Sequence, residues 1–223
     1  MTTTKAEYER HKKEVIKYLN AVKLLDTGNC EILCTDVLGA RSSLKIDDEL
    51  SKILKANSFI LLYNLIESTI TNSIKAIVHS VEDEKLTYEQ LSENIKHLWI
   101  RQSVKGIKDN HYAAKVHQIS ESIVKKELLT LSHECVNISG NIDAQEIRNI
   151  AKQFGWVESK NGRELVTIKN KRNHLAHGEF SFADVGKDYT MQDIIRIKDN
   201  ALKFLEDVLS NVNNFLQAKG YKI

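Results

Sequence analysis

The residues best suited to chemistry lie together late in the chain. The segment KNKRNHLAHGEF, residues 169–180, holds Arg172, Asn173 and, after a three-residue spacer, His177. Histidine titrates near neutrality and can act as base or acid. Arginine stays charged, and its planar fork matches two oxygens of a phosphate. One reaction that uses both is cleavage of RNA by its own 2′-hydroxyl. A base takes the hydroxyl proton, an acid protonates the departing 5′-oxygen, and positive charge stabilises the phosphorane-like transition state. In that scheme His177 handles the proton and Arg172 the charge, with no metal or other cofactor. The chain has seven arginines and eight histidines, so the Arg-x4-His spacing recurs by chance about 0.25 times. Requiring asparagine after the arginine lowers that to about 0.02.

Helix geometry sets a limit on this pair. Positions i and i+5 are about 140° apart on an α-helix. Arg172 and His177 therefore do not share a face, whereas Asn173 and His177 do, at i and i+4. Arginine's long stem bridges part of the gap, and Asn173 is placed to orient His177 or to contact a phosphate oxygen.

Other residues are weaker candidates. His174 could support the site, although a surface or core-lining imidazole is the plainer reading. A His174/His177 metal pair lacks a matching Asp, Glu or Cys motif to complete it. Glu67 sits in an apolar stretch with Asn64, and a buried acid must be paired or functional. It could hold Arg172, or lie on a solvated strip. Lys169, Lys171 and Arg163 join Lys160 and Arg172 in a run of local charge +4 over 159–172. Lys96, Arg101, Lys105 and Lys108 make a second run, also +4. These could flank an RNA groove, with Trp99 or Trp156 stacking on a base; solvated faces and core tryptophans are the plainer readings. Cys30 and Cys34 read as small buried hydrophobes.

The elements that must position these residues read as helices. The 223 residues contain no proline, which permits long uninterrupted helices. Aromatic content is 7%, which leans away from an all-β fold. Apolar periodicity predicts a helix over 5–25, ended by Gly28-Asn29, and a short helix over 32–44. A long core helix over 47–79 follows, capped by Asp47 or Asp48 and apolar nearly all round at 59–66, Tyr63 included. After a charged break at 81–85, Thr87 caps a helix over 88–101, and 111–132 is weakly helical. Asn137–Asn141 is a loop, and Asp143 caps a helix over 144–154. The helix over 163–177 ends at Gly178, 179–190 is a polar turn, and the last helix spans 191–218, stopped by Gly220. No useful strand alternation is apparent. The net charge of +2 gives no global preference for nucleic acid. The polar N-terminus lacks a signal-peptide core, no apolar stretch could span a bilayer, and an odd cysteine count is no disulfide framework. These point to a cytoplasmic protein without membrane contact.

Arg172-Asn173-x3-His177 near the end of the penultimate helix, with LLYNLIEST at 61–69 ahead of it, resembles the HEPN superfamily of ribonucleases, in its prokaryotic defence-associated branch. The resemblance covers about 47–218. It implies an all-α HEPN-like bundle of long core helices with additional short ones. It also implies one domain over 1–223, with residues 1–46 as a helical extension. The implied activity is metal-independent endoribonuclease cleavage of RNA, such as tRNA or mRNA, to 2′,3′-cyclic phosphate and 5′-hydroxyl ends. The implied setting is a toxin or effector in antiviral defence or a toxin–antitoxin pair, with an antitoxin or defence-system partner. A homodimer would bring two such helices together into a site with two arginines and two histidines. Some HEPN toxins carry, two residues after the histidine, a tyrosine that a partner enzyme modifies; Glu179 stands there, so that mode of neutralisation has no residue to act on. The alternatives are a non-catalytic HEPN-fold RNA-binding or scaffold subunit of a larger defence complex, and a helical scaffold with a chance motif.

Overall fold

A 36-residue helix, Asp48–Asp83, is the longest element of the computed structural model, which describes residues 1–28, 30–107, 111–136, 138 and 140–223. Asp47 caps it, accepting the Leu50 amide at 2.8 Å. Phe59, Leu62, Tyr63, Leu65, Ile66, Ile70, Ile74 and Ile77 are all buried, which explains why its middle is apolar nearly all round. The helix runs four residues past the expected end at 79, into the acidic stretch. Numbering in chain order, it is α2; the others are α1 (Thr2–Leu25), α3 (Glu93–Val104), α4 (Tyr112–Val124), α5 (Ala144–Phe154), α6 (Arg163–Ala176), α7 (Phe182–Gly186) and α8 (Met191–Gln217). The fold is all-α with one small hairpin among the described residues. Among the described residues no helix is long and apolar enough to cross a membrane.

The chain divides into two compact units, with α1, α2 and α8 each contributing residues to both. The unit that carries the candidate site comprises Ala6–Ile66 and Gly162–Lys203. Here α1 buries Tyr8, Val15, Leu19 and Val22 along one face. The Tyr18 hydroxyl donates to the Leu54 carbonyl at 2.8 Å and Tyr8 donates to that of Leu202 at 3.5 Å. The short helix α7 approaches α2 so closely that a β-carbon on Gly186 would lie 1.9 Å from the Lys52 carbonyl oxygen.

Residues 32–44 are not a helix. They belong to an antiparallel hairpin, β1 (Cys30–Thr35) and β2 (Arg41–Ile46), with Ile32 opposite Leu44. The turn is built by Asp36, whose carboxylate accepts the amides of Leu38 and Ala40 at 2.8 and 2.9 Å, and by Gly39 at φ +83°. Cys30 is half-buried and Cys34 exposed, so they are not the buried pair expected. They ride on a ribbon whose face is uncovered beyond its base.

The second unit comprises Met1–Lys5, Glu67–Asn161 and Phe204–Ile223. Thr87 closes a 3-10 turn, Tyr88–Gln90, by donating its amide to the Gln90 side chain at 2.9 Å, and α3 begins only at Glu93. Asp143 caps α5 as expected, accepting the Gln145 and Glu146 amides at 3.0 Å. The expected loop at 137–141 and the Gly28-Asn29 helix end fall partly, and Lys108 wholly, outside the described residues. α8 stops at Gln217, three residues before Gly220, and Lys219 takes the left-handed conformation at φ +52°. Gly220 is required for another reason, since a β-carbon there would sit 2.6 Å from the Phe215 ring.

Glu84 ties down the C-terminal segment of this unit. Lys222 bonds its carboxylate, Tyr221 does so at 2.6 Å and Lys219 at 2.9 Å. These partners hold the Glu84 carboxyl at about 2, down from 4.5. A carboxylate with a lowered folded pKa stabilises the fold above its unfolded pKa and loses that contribution as pH falls through the folded value. Thermal melts of the wild type should therefore weaken between pH 4.5 and 2, and Glu84→Gln should remove that part of the acid sensitivity.

Candidate functional site

α6 enters from Gly162, in the left-handed conformation at φ +84°, and buries Leu165, Ile168 and Leu175. At 100° per residue, Arg172 falls on that same face. The side chain best suited to a phosphate is thus directed into the packed side of its helix and is half-buried. Its guanidinium carbon stands 4.3 Å from the centre of the Tyr63 ring, on the fully buried part of α2. Its Nη1 donates to Oδ1 of Asn173 at 3.0 Å. The ring quadrupole attracts the cation, and the amide fixes one arm of the fork. Asn173 thus contacts the Arg172 fork directly.

His177 sits at the helix C-cap and its side chain is exposed. The reason is a Schellman ending. Gly178 is left-handed at φ +67°; its amide reaches the Leu175 carbonyl at 3.3 Å, and the Glu179 amide reaches that of His174 at 3.0 Å. His177 is the last residue before the reversal, so its imidazole projects from the helix end. The arrangement keeps Arg172 and His177 on different faces, as the i, i+5 geometry requires.

The Schellman ending commonly carries an apolar contact between its outer residues. Here a polar one replaces it: His174 Nδ1 and a Glu179 carboxylate oxygen are 2.5 Å apart. The His174 ring also meets Phe180 edge to face, with centroids 5.0 Å apart. His174 is thereby committed to the turn. Among the described residues no group of three or more His, Cys, Asp or Glu converges as metal ligands.

The lysines differ in their engagement. Lys171 pairs with Asp188 at 3.6 Å and lies 5.4 Å from the Tyr189 ring, which packs edge-on against Phe59. Lys169 is half-buried on the same helix face as Asn173, and Arg163 is exposed at the helix start. Phe180, beyond the other end of the helix, is about half exposed. Glu67, in the other unit, is half-buried and accepts the Gly140 amide at 3.4 Å, while Asn64 is exposed. Trp99 and Trp156 are core residues, 8% and 4% exposed, so neither offers a face for a base. Lys96 and Arg101 are engaged by Glu93 and Gln153 in that second unit.

Tyr63 is the residue that sequence reasoning overlooked. In a helix apolar all round, an aromatic that seats a cation has the same pattern as one that fills the core. The one signal was its place in the LLYNLIEST stretch ahead of the arginine motif.

A family model described as HEPN_MAE_28990-like HEPN matches residues 32–221. No curated protein and no solved structure matches the chain.

Proposed function

The chain belongs to the HEPN_MAE_28990-like HEPN family, and from that premise we propose that it is a metal-independent endoribonuclease with Arg172, Asn173 and His177 as one half of its site. Family membership supports an RNA-related function. The observation that carries the finer reading is the seating of Arg172 between the Tyr63 ring and the Asn173 amide, one turn before an exposed histidine. A pre-positioned guanidinium costs little reorganisation when charge develops on a phosphate.

One helix supplies one arginine and one histidine on different faces, and cleavage needs both a base and an acid. A homodimer with two α6 helices near its twofold axis provides the second set. One His177 takes the 2′-hydroxyl proton as the O2′–P bond forms. The other protonates O5′ as the P–O5′ bond breaks. The two arginines balance the charge on the non-bridging oxygens. The products are a 2′,3′-cyclic phosphate and a 5′-hydroxyl. Lys169, Lys171 and Arg163 extend positive charge along the RNA, and residues 1–223 act as a single domain, serving as a toxin or effector in antiviral defence or a toxin–antitoxin pair.

The deciding experiment incubates the purified chain with total RNA in EDTA and maps the ends. Cleavage leaving cyclic phosphates is expected. Cleavage that requires added metal would sink the mechanism, and RNA binding without cleavage would favour the non-catalytic subunit.

Tyr63 gives a graded test. A cation over an aromatic ring contributes about 0.5–2 kcal/mol, so Tyr63→Leu should slow cleavage by about 2- to 30-fold if that energy holds the arginine in place. Single-turnover rates measured at saturating RNA check this. An unchanged rate would mean that the ring is only core.

A further inference from the structure

A cleft of 280 Å³ lies between α6 and the segment that follows it. Small-molecule sites run to about 300–1,000 Å³, so this one suits a single flat ring rather than an extended ligand. Lys171 of α6 lines it, with Phe180, with Asp184 and the buried Val185 of α7, and with Lys187 and Asp188 just after α7. The cleft shares its supports with the Arg172 motif. Lys171 lies 5.4 Å from the Tyr189 ring, which packs on Phe59, and Arg172 lies on Tyr63, one turn further along α2. Phe180 follows His177 by three residues, which keeps their Cα atoms within about 11 Å. An RNA strand with a phosphate at Arg172 and His177 can therefore set a neighbouring base in the cleft.

Its polar groups divide into two kinds. Ser181 caps α7 by accepting the Asp184 amide at 3.1 Å, and its hydroxyl donates back to that carboxylate at 2.7 Å. Lys187 donates to the other Asp184 oxygen at 3.0 Å. Both Asp184 oxygens are thus engaged in building the wall. The Lys171–Asp188 pair is different. At 3.6 Å it is an ion pair beyond hydrogen-bond length, so both groups keep bonding capacity for a third party. Phe180 is 51% exposed, and His174 meets it edge to face, which leaves the ring an open face.

We propose that this cleft holds a guanine base of the RNA beside the scissile phosphate, stacked on Phe180, with Lys171 donating to O6 and Asp188 accepting N1–H and N2–H. An open aromatic face next to a matched pair of charges fits a neutral ring with polar edges, and every nucleobase has a π-face. The pairing edge selects among the four bases. Guanine alone sets two adjacent donors beside an acceptor. Two parallel N–H groups match a carboxylate as an arginine fork does, and lysine is a usual partner of O6. Adenine and cytosine put an acceptor where the second donor is needed, and uracil flanks one donor with two acceptors. The proposal rests on the endoribonuclease reading and deepens it, because it places the cut next to guanosine.

The test separates binding from cleavage. Fluorescence anisotropy on the full chain carrying His177→Ala compares short uridine oligomers with one central guanosine or adenosine. Guanosine is expected to bind about 5- to 150-fold tighter. Inosine, which lacks N2–H, is expected to lose most of that preference, and 7-deazaguanosine, changed only away from the pairing edge, to keep it. Adding Asp188→Asn is expected to abolish the preference. Adding Phe180→Ala is expected to weaken binding of the guanosine oligomer by about 5- to 150-fold. With the wild type in EDTA, mapped ends are expected to put guanosine at one fixed position beside the cut. Equal affinity for guanosine and adenosine overturns the proposal, and so does a preference that survives Asp188→Asn in a chain with native circular dichroism. Free GMP bound as tightly as the oligomer assigns the cleft to a nucleotide ligand and overturns it too. RNA left intact while the guanosine preference holds removes the nuclease and leaves guanine recognition standing; cleavage indifferent to guanosine does the reverse.

Discussion

His177→Ala is expected to lower RNA cleavage by about 10²- to 10⁴-fold and to leave the melting temperature within about 2 °C of the wild type. The two halves of this expectation rest on one structural fact. His177 occupies the C-cap of α6 with its side chain in solvent, and the backbone there is held by the Gly178 and Glu179 amides rather than by the imidazole. Removing the ring takes away a proton carrier and no packing. Arg172→Lys makes the converse case. A lysine keeps the charge but loses the fork and the flat face that lies on Tyr63. Cleavage should again fall by at least about 10²-fold, as when a transition-state hydrogen-bond donor is removed. Stability should fall with it by about 1 kcal/mol, from the weakened contact with the ring. Rates and melts measured together separate the two variants. Equal cleavage by wild type and His177→Ala would remove the histidine from the mechanism.

How much of this was legible from residues alone varied with how local the cause was. The start of α5 was readable because Asp143 caps it with its own carboxylate. The end of α6 was readable because Gly178 supplies the left-handed residue. Both signals act within a turn of the chain. The hairpin was misread because Leu33, Val37 and Leu38 fill helical spacings, yet all three are exposed, and two of them belong to a turn set by Asp36 and Gly39. Five-residue α7 is too short to show a period. In the site, residue types and the separation of Arg172 from His177 followed from helix geometry. The seat of Arg172 did not, since it depends on Tyr63, more than one hundred residues earlier, and the sequence marks that tyrosine only as apolar. The engagement of His174 with Glu179 was equally hidden, because it arises from the reversal after the helix.

The largest expected effect on folding comes from a residue with no chemistry. Gly186→Ala should destabilise the chain by about 3 kcal/mol, a drop of roughly 6–12 °C in melting temperature for a chain of this size. The new methyl carbon would meet the Lys52 carbonyl oxygen of α2 at 1.9 Å, and a backbone carbonyl within a helix cannot swing aside as a side chain can. α7 would have to lift from α2. The Tyr189 amide bonds the Gly186 carbonyl at 3.3 Å, so the lift would carry Tyr189 away from Phe59 and from Lys171. Gly178→Ala is the control. Nothing lies within 4 Å of a β-carbon there, so only the cost of φ +67° remains, about 1–2 kcal/mol. Melts in which Gly178→Ala costs as much as Gly186→Ala would mean that α7 does not rest on α2 as described. The expected order instead makes the α2–α7 contact the less yielding of the two, and it is joined through the Gly186 carbonyl to Tyr189, which flanks Lys171 of the candidate site.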